Sequence, residues 1–119
     1  MKASIDAGKI VSNFTAPTLA DGCAVKVPGE MTFEIVSELI DEVICVSEDQ
    51  IELALKDLLQ RGKVVVEGSG ALASAAIHSG KIDQYIKGKK VVAILSGGNI
   101  DLKRVSNVVD HFFAKELVD

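Results

Sequence analysis

Three short β-branched runs, Glu42-Val-Ile-Cys-Val46, Lys63 to Glu67 and Lys90 to Leu95, each end in a turn and each hand the chain on to a helical pattern. This alternation constrains the fold most. Strands separated by helices join through crossovers into a mostly parallel sheet with helices on its faces. The expected class is therefore α/β, with a partial parallel sheet flanked by helices. After the first run, Ser47-Glu-Asp-Gln50 can form a capping box. Ile51, Ala54, Leu55, Leu58 and Leu59 then share one helical face, and Gly62 stands as the stop. After the second run, Gly68-Ser69-Gly70 opens a helix of small residues from Ala71 to Ser79, ended by Gly80, that can pack very close to a sheet. After the third, Asp101 can cap a last helix from Leu102 towards Asp110. Upstream, Phe33, Val36, Leu39 and Ile40 suit an amphipathic helix over Thr32 to Ile40. Residues 1–30, with Pro17, Gly22, Pro28 and Gly29, read as an irregular loop laid over the sheet edge.

At 119 residues the chain supports one core, and neither an internal repeat nor a low-complexity linker divides it. Its 13 Lys and Arg are outnumbered by 17 Asp and Glu and form no patch interleaved with aromatics, which argues against a nucleic-acid surface. No apolar stretch has the length of a membrane span, and the first residues lack the charged start and apolar centre of a signal peptide, so a cytoplasmic location is expected. Cys23 and Cys45 lack metal-ligand spacing and read as small core or near-core residues in a reducing compartment. His78 and His111 fall on helices without partners at metal spacing, so no metal site is expected. Phe112-Phe113 reads as core or interface packing.

In parallel sheets ligands bind beyond the carboxyl ends of the strands. That rule selects two turns, Glu67-Gly68-Ser69-Gly70 and Ser96-Gly97-Gly98-Asn99. Their glycines either let a ligand approach the backbone or simply permit tight turns, and neither turn matches a P-loop or a full dinucleotide fingerprint. The Glu67 carboxylate, following three valines, either meets a ligand or donor or caps the next helix. Ser96 either faces a ligand or bonds the neighbouring loop. Composition and spacing alone end at an α/β module with a ligand crevice, and a small anion-binding module remains open.

Residue identity goes further. Thr18-Leu-Ala-Asp-Gly22, Glu67-Gly-Ser-Gly-Ala71 and Ser96-Gly-Gly-Asn-Ile-Asp101, in that order, resemble the last part of the catalytic domain of the pyridoxal-phosphate-dependent threonine and serine dehydratases. These belong to the fold type II group that also holds serine racemase and the tryptophan synthase β subunit. Pro28-Gly29, the helix from Thr32 and Val46-Ser-Glu-Asp49 fit the same family, so the resemblance covers residues 1 to about 107, nearest to the short catabolic enzymes. It implies pyridoxal 5′-phosphate as cofactor and an amino-acid substrate, L-threonine or L-serine, which loses water to give 2-oxobutanoate or pyruvate plus ammonia. It also implies roles for cofactor-binding residues. The Ser96 hydroxyl bonds the pyridine nitrogen, a neutral partner that does not hold a proton there and so moderates the electron sink. Gly22 lies against one face of the ring, with Asp21 and Ala20 shaping that wall. Glu67 sits near the ring edge, Gly97 and Gly98 let the turn pass close, and Asn99 fixes the turn.

The departures matter as much. The family's Schiff-base lysine, in a Ser-Phe-Lys-x-Arg-Gly type motif, and its glycine-rich phosphate loop are absent from these 119 residues and would fall before Met1, as would the acidic ion-binding residues of some relatives. Lys26, Lys63, Lys89, Lys90 and Lys103 read as solvated, so no catalytic residue is assigned to the chain. Residues 108–119 read as a divergent tail, and 1–119 as a single incomplete α/β domain. Its expected partners are the missing amino-terminal portion or further copies in a homo-oligomer. A non-catalytic regulatory fragment that pairs with a full-length relative is the other interaction reading. The purified chain, supplied with pyridoxal 5′-phosphate and L-threonine, should form no 2-oxobutanoate; measurable turnover would overturn that expectation.

Overall fold

Ser47 begins the element on which the others are built. In the computed structural model, which describes residues 1–13 and 17–116, its hydroxyl accepts from the Gln50 amide while the Gln50 side chain accepts from the Ser47 amide. This reciprocal cap starts helix α3, Glu48–Asp57. Before it come α1 (Lys2–Ala7) and α2 (Glu30–Leu39); after it come α4 (Leu72–His78), α5 (Asp83–Ile86) and α6 (Leu102–Glu116). Short 3-10 turns cover Asp21–Cys23 and Ser69–Ala71. The expected stop at Gly62 falls one residue later. A π turn over Leu58–Gly62 absorbs an extra residue, so Lys63 takes the left-handed position at φ 57°.

The core forms where α3 packs on α4. Ile51, Ala54 and Leu55 of α3 meet Ala71 and Ala75, with Val66, Ala20 and Val108 closing the cluster. Ala54, Ala71 and Ala75 are wholly buried, and methyl-sized side chains let the two helices approach closely. Asp101 caps α6 as expected, its carboxylate accepting from the Lys103 amide at 2.8 Å. The helix runs past Asp110 to Glu116, with Val108 in the core; the side chain of Phe113 and residues 117–119 lie outside the described set.

Three expectations are corrected. Among the described residues there is no hydrogen-bonded strand: the runs 42–46, 63–67 and 90–95 are extended chain without a ladder. A parallel strand needs neighbours to receive its amides and carbonyls, and only Glu67 N–H to Gly97 O, at 3.2 Å, joins two of the runs near their ends. Apolar side chains of the run 90–95 are accordingly open to solvent, Val92 at 89% and Ile94 at 74%, while Val66 of the run 63–67 turns into the core. Residues 1–30 are not simply a loop. Lys2 and Asp6 pair at 2.7 Å across one turn of α1, Gly8 ends it at φ 64°, and the buried Ser4 hydroxyl accepts from the Val11 amide at 3.0 Å. Cys23 and Cys45 are free and exposed rather than near the core. Among the described residues no helix is long and apolar enough to cross a membrane.

The run at 42–46 is held from the side. Lys81 Nζ donates to the Cys45 carbonyl at 2.7 Å, and the Tyr85 hydroxyl of α5 donates to the Glu42 carboxylate. That second bond, with Glu42's charge beside it, holds the phenol above its ordinary pKa. The folded value is raised, so whatever the pair adds to stability is complete below the ordinary tyrosine range and is lost as pH rises through the raised value. Tyr85 is the chain's one tyrosine and there is no tryptophan, so alkaline absorbance reads it directly. Its ionisation should fall above that of the unfolded chain, and Glu42→Gln should bring it back down; coincident midpoints would show that the bond does not form in solution.

Candidate functional site

Three loops meet backbone to backbone beyond the ends of two extended runs. A Cβ on Gly68 would lie 2.0 Å from the Leu19 carbonyl oxygen, and one on Gly70 would lie 1.8 Å from that of Ser96. Only glycine allows either approach. The loops at 18–23 and 96–99 are thereby held against the turn at 67–71.

At this junction the Glu67 side chain fills the space left by two further glycines. A Cβ on Gly97 would come within 2.4 Å of its carboxyl carbon, and one on Gly22 would come within 3.8 Å of its Oε1. Gly97 also stands at φ 75°, a conformation that resists any side chain. The Ser69 Oγ lies 2.8 Å from the same point above Gly22. That hydroxyl is buried and has no hydrogen-bond partner among the described residues. The Glu67 carboxylate, partly buried, likewise accepts no hydrogen bond from them, although its backbone carbonyl caps the following turn by accepting from the Ala71 amide at 3.1 Å. A carboxylate and a hydroxyl, both without partners among the described residues, thus pack against the glycine faces of one junction.

Two anchors fix the first loop. Glu48, the first residue of α3, accepts from Thr18 Oγ1 at 2.5 Å and from the Leu19 amide at 2.8 Å, and its charge lies favourably at the helix start. Arg104 of α6 donates to Asp21 at 2.9 Å. Glu48 was not singled out in the sequence, where it is one acid in a capping segment; its reach of 30 residues exists only in the fold.

The structure brings Gly22, Glu67 and Gly97 together and adds Ser69. Ser96 contributes its carbonyl to the contact with Gly70, and its side chain is exposed. Asp21 is exposed and turned towards α6. His78 and His111 lie on helices, each 3.6 Å from one carboxylate, Asp57 and Glu52 respectively. No group of three or more metal-ligating side chains occurs among the described residues.

Glycine turns that bring main chain against main chain at the ends of extended runs shape this junction, and comparison with known proteins identifies the family. The family of pyridoxal-phosphate dependent enzymes matches residues 1–97, and the chain belongs to that family. It is similar to the catabolic L-threonine dehydratase of Escherichia coli K12, 56% identical over 108 residues that cover 91% of this chain and 33% of that protein. The Staphylococcus aureus N315 counterpart is 61% identical over 95 residues, covering 79% and 28%. Among solved structures, the processed form of threonine deaminase isoform 2 from Solanum lycopersicum superposes with a TM-score of 0.81 at 37% identity, covering 92% of this chain and 32% of that one. Serine racemase from Dictyostelium discoideum gives 0.74 at 38% identity, covering 84% and 31%. These neighbours are fold type II pyridoxal-phosphate enzymes. The chain spans about a third of the length of the curated relatives it matches.

The backbone contacts make a direct prediction. Gly70→Ala should lower stability by about 3 kcal/mol or more, at the upper end for overpacking, because the obstructing atom is a main-chain carbonyl. Gly29→Ala, whose Cβ meets only Thr32 Oγ1 at 3.6 Å, serves as control and should change little. Equal urea midpoints for the two variants would show that the loops are not in contact.

Proposed function

We propose that this chain is the carboxyl-terminal part of the catalytic domain of a pyridoxal-phosphate-dependent L-threonine/L-serine dehydratase. The complete enzyme eliminates water from L-threonine or L-serine and yields 2-oxobutanoate or pyruvate plus ammonia. The observation that carries this reading is the 56% identity over 108 residues to a catabolic L-threonine dehydratase. The junction suits the cofactor chemically: its glycine turns expose main chain instead of bulky side chains, with the exposed Ser96 hydroxyl and the partly buried Glu67 carboxylate beside them. When bound, the cofactor supplies the electron sink that lets the substrate lose its α proton and β hydroxyl.

The positions of the chain's own residues support the following roles. Gly22 leaves one wall free of side chain, and Asp21, tied to Arg104, keeps that wall in place. Gly97 keeps the second turn close, and Glu67 sets the charge at the edge of the recess. The Ser96 hydroxyl, exposed at the end of the third run, is free to bond the ring nitrogen. As a neutral partner it leaves that nitrogen unprotonated and favours prompt loss of hydroxyl over persistent carbanion chemistry. Residues 1–119 form a single incomplete α/β domain, with 108–119 its divergent end. The extended runs at 42–46, 63–67 and 90–95 pair into a parallel sheet once neighbouring strands are present; the exposure of Val65, Val92 and Ile94 supports this. The cofactor lysine and the phosphate loop belong to the part of the enzyme outside these residues, and the complete enzyme assembles as a homo-oligomer.

Placing this chain in the E. coli catabolic L-threonine dehydratase, in exchange for the segment it matches, should give an enzyme that forms 2-oxobutanoate from L-threonine. In that enzyme Ser96→Ala should lower kcat roughly tenfold, the value of one hydrogen bond, while leaving the protein folded. A folded exchange enzyme that holds cofactor but leaves threonine unchanged would refute the substrate. One that holds no cofactor would refute the reading as a whole.

A further inference from the structure

Resting on the reading of this chain as one part of a dehydratase, we propose that the outer face of α2 docks a basic amphipathic helix from the enzyme's amino-terminal part. Phe33 and Val36 of α2 are partly buried. Met31, Ile35 and Leu39 form a second apolar row, spaced four residues apart, and stand in solvent at 75%, 50% and 73% exposure. Beside it, one residue back at each step, run Glu30, Glu34 and Glu38, all exposed. None of these three carboxylates has an ion pair or a side-chain hydrogen bond among the described residues, and α2 carries no Lys or Arg.

Both rows are unfavourable in the free chain. The apolar row forgoes the burial that stabilises an amphipathic helix, and glutamates four residues apart repel one another. One occupant relieves both: a helix whose apolar ridge packs beside Met31, Ile35 and Leu39 and whose Lys or Arg side chains lie opposite the glutamates. A second copy of α2 is not that occupant. It brings no cation, so two copies laid face to face leave every glutamate without a counter-charge. The occupant is placed in the amino-terminal part because this chain spans about a third of its relatives' length, so most of the surfaces that could cover α2 lie outside these 119 residues. This contact is separate from the pairing of the extended runs, since the α2 backbone is already bonded within its helix and offers only side chains.

Met31 reports the contact. Met1 is the chain's other methionine, so treatment with hydrogen peroxide followed by peptide mass analysis reads Met31 by itself. In the exchange enzyme described above, Met31 should oxidise at least about tenfold more slowly than in the free 119-residue chain. Glu34→Lys gives the second readout, because it turns the like-charged pairs with Glu30 and Glu38 into opposite ones. It should raise the melting temperature of the free chain by about one or two degrees and lower that of the exchange enzyme, where the lysine faces the docked helix's cations. An active exchange enzyme whose Met31 oxidises as fast as in the free chain overturns the docking and leaves the dehydratase reading standing. So does a Glu34→Lys substitution that stabilises both proteins. A free chain that protects Met31 by dimerising, or protection in the exchange enzyme that vanishes on dilution to monomers, assigns the face to a second copy and overturns the docking as well. An exchange enzyme that holds no cofactor removes the reading on which the docking rests.

Discussion

The contact of Gly68 with the Leu19 carbonyl and of Gly70 with the Ser96 carbonyl is the constraint on which the site depends. Main chain touches main chain at both points, so neither distance can be adjusted by a side-chain rotamer. The loops before and after the 67–71 turn are positioned by a part of the chain that cannot flex without losing the small-residue packing of Ala71 and Ala75 behind it. A rigid backbone junction of this kind suits a site whose task is to present flat surfaces and a few polar atoms at fixed separations. It also explains why the polar groups there can be left unsatisfied: the surrounding contacts, rather than their own bonds, hold them in place.

Helix α3 is the post to which this junction is tied. Its amino-terminal end carries two devices at adjacent residues. Ser47 closes a capping box with Gln50, and Glu48 grips Thr18 and the Leu19 amide. The first device is local and sets where the helix starts. The second is long-range and sets where the Gly22 loop lies. Because Glu48 faces the helix's own amide end, its charge is favoured there before it bonds the loop, so both interactions strengthen one geometry. The Asp21–Arg104 pair reaches the same loop from α6 but is largely exposed, and pairs of that kind contribute about 0–1 kcal/mol. Glu48 is therefore the principal anchor and Asp21 an aligning contact.

The sequence made the local features legible. The capping box at Ser47, the cap at Asp101 and the glycine stop at Gly80, with φ 70°, are decided within a few residues and appear where the pattern places them. α1 escaped notice because six residues with no side-chain cap leave little periodicity to read. The β-branched runs carry the signature of strands buried on both faces, and their conformation is extended, but pairing is a property of neighbours and not of the run itself. Around these turns, Gly22, Glu67 and Gly97 could be named in advance only through the family resemblance, and the fold brings them together. Ser69 could not, since a serine beside two glycines looks like any turn residue until its lack of a partner is seen. Glu48 is the same case at longer range.

The recess has an electrostatic character that bears on how labour is divided in the proposed enzyme. The Glu67 carboxyl group accepts no hydrogen bond from any described residue, and Ser69 and Ser96 are neutral hydroxyls beside it. A carboxylate that is partly desolvated and unpaired gains most from a donor brought by whatever enters the recess. In the enzyme proposed above, attachment of the cofactor and most of its charge pairing fall to a lysine and a phosphate loop outside these 119 residues, and this chain's share is shape and weak, directional contacts. Changes at Ser96 or Glu67 in that enzyme should therefore alter the electronic state of the bound ring and the rates that follow from it more than the strength of attachment.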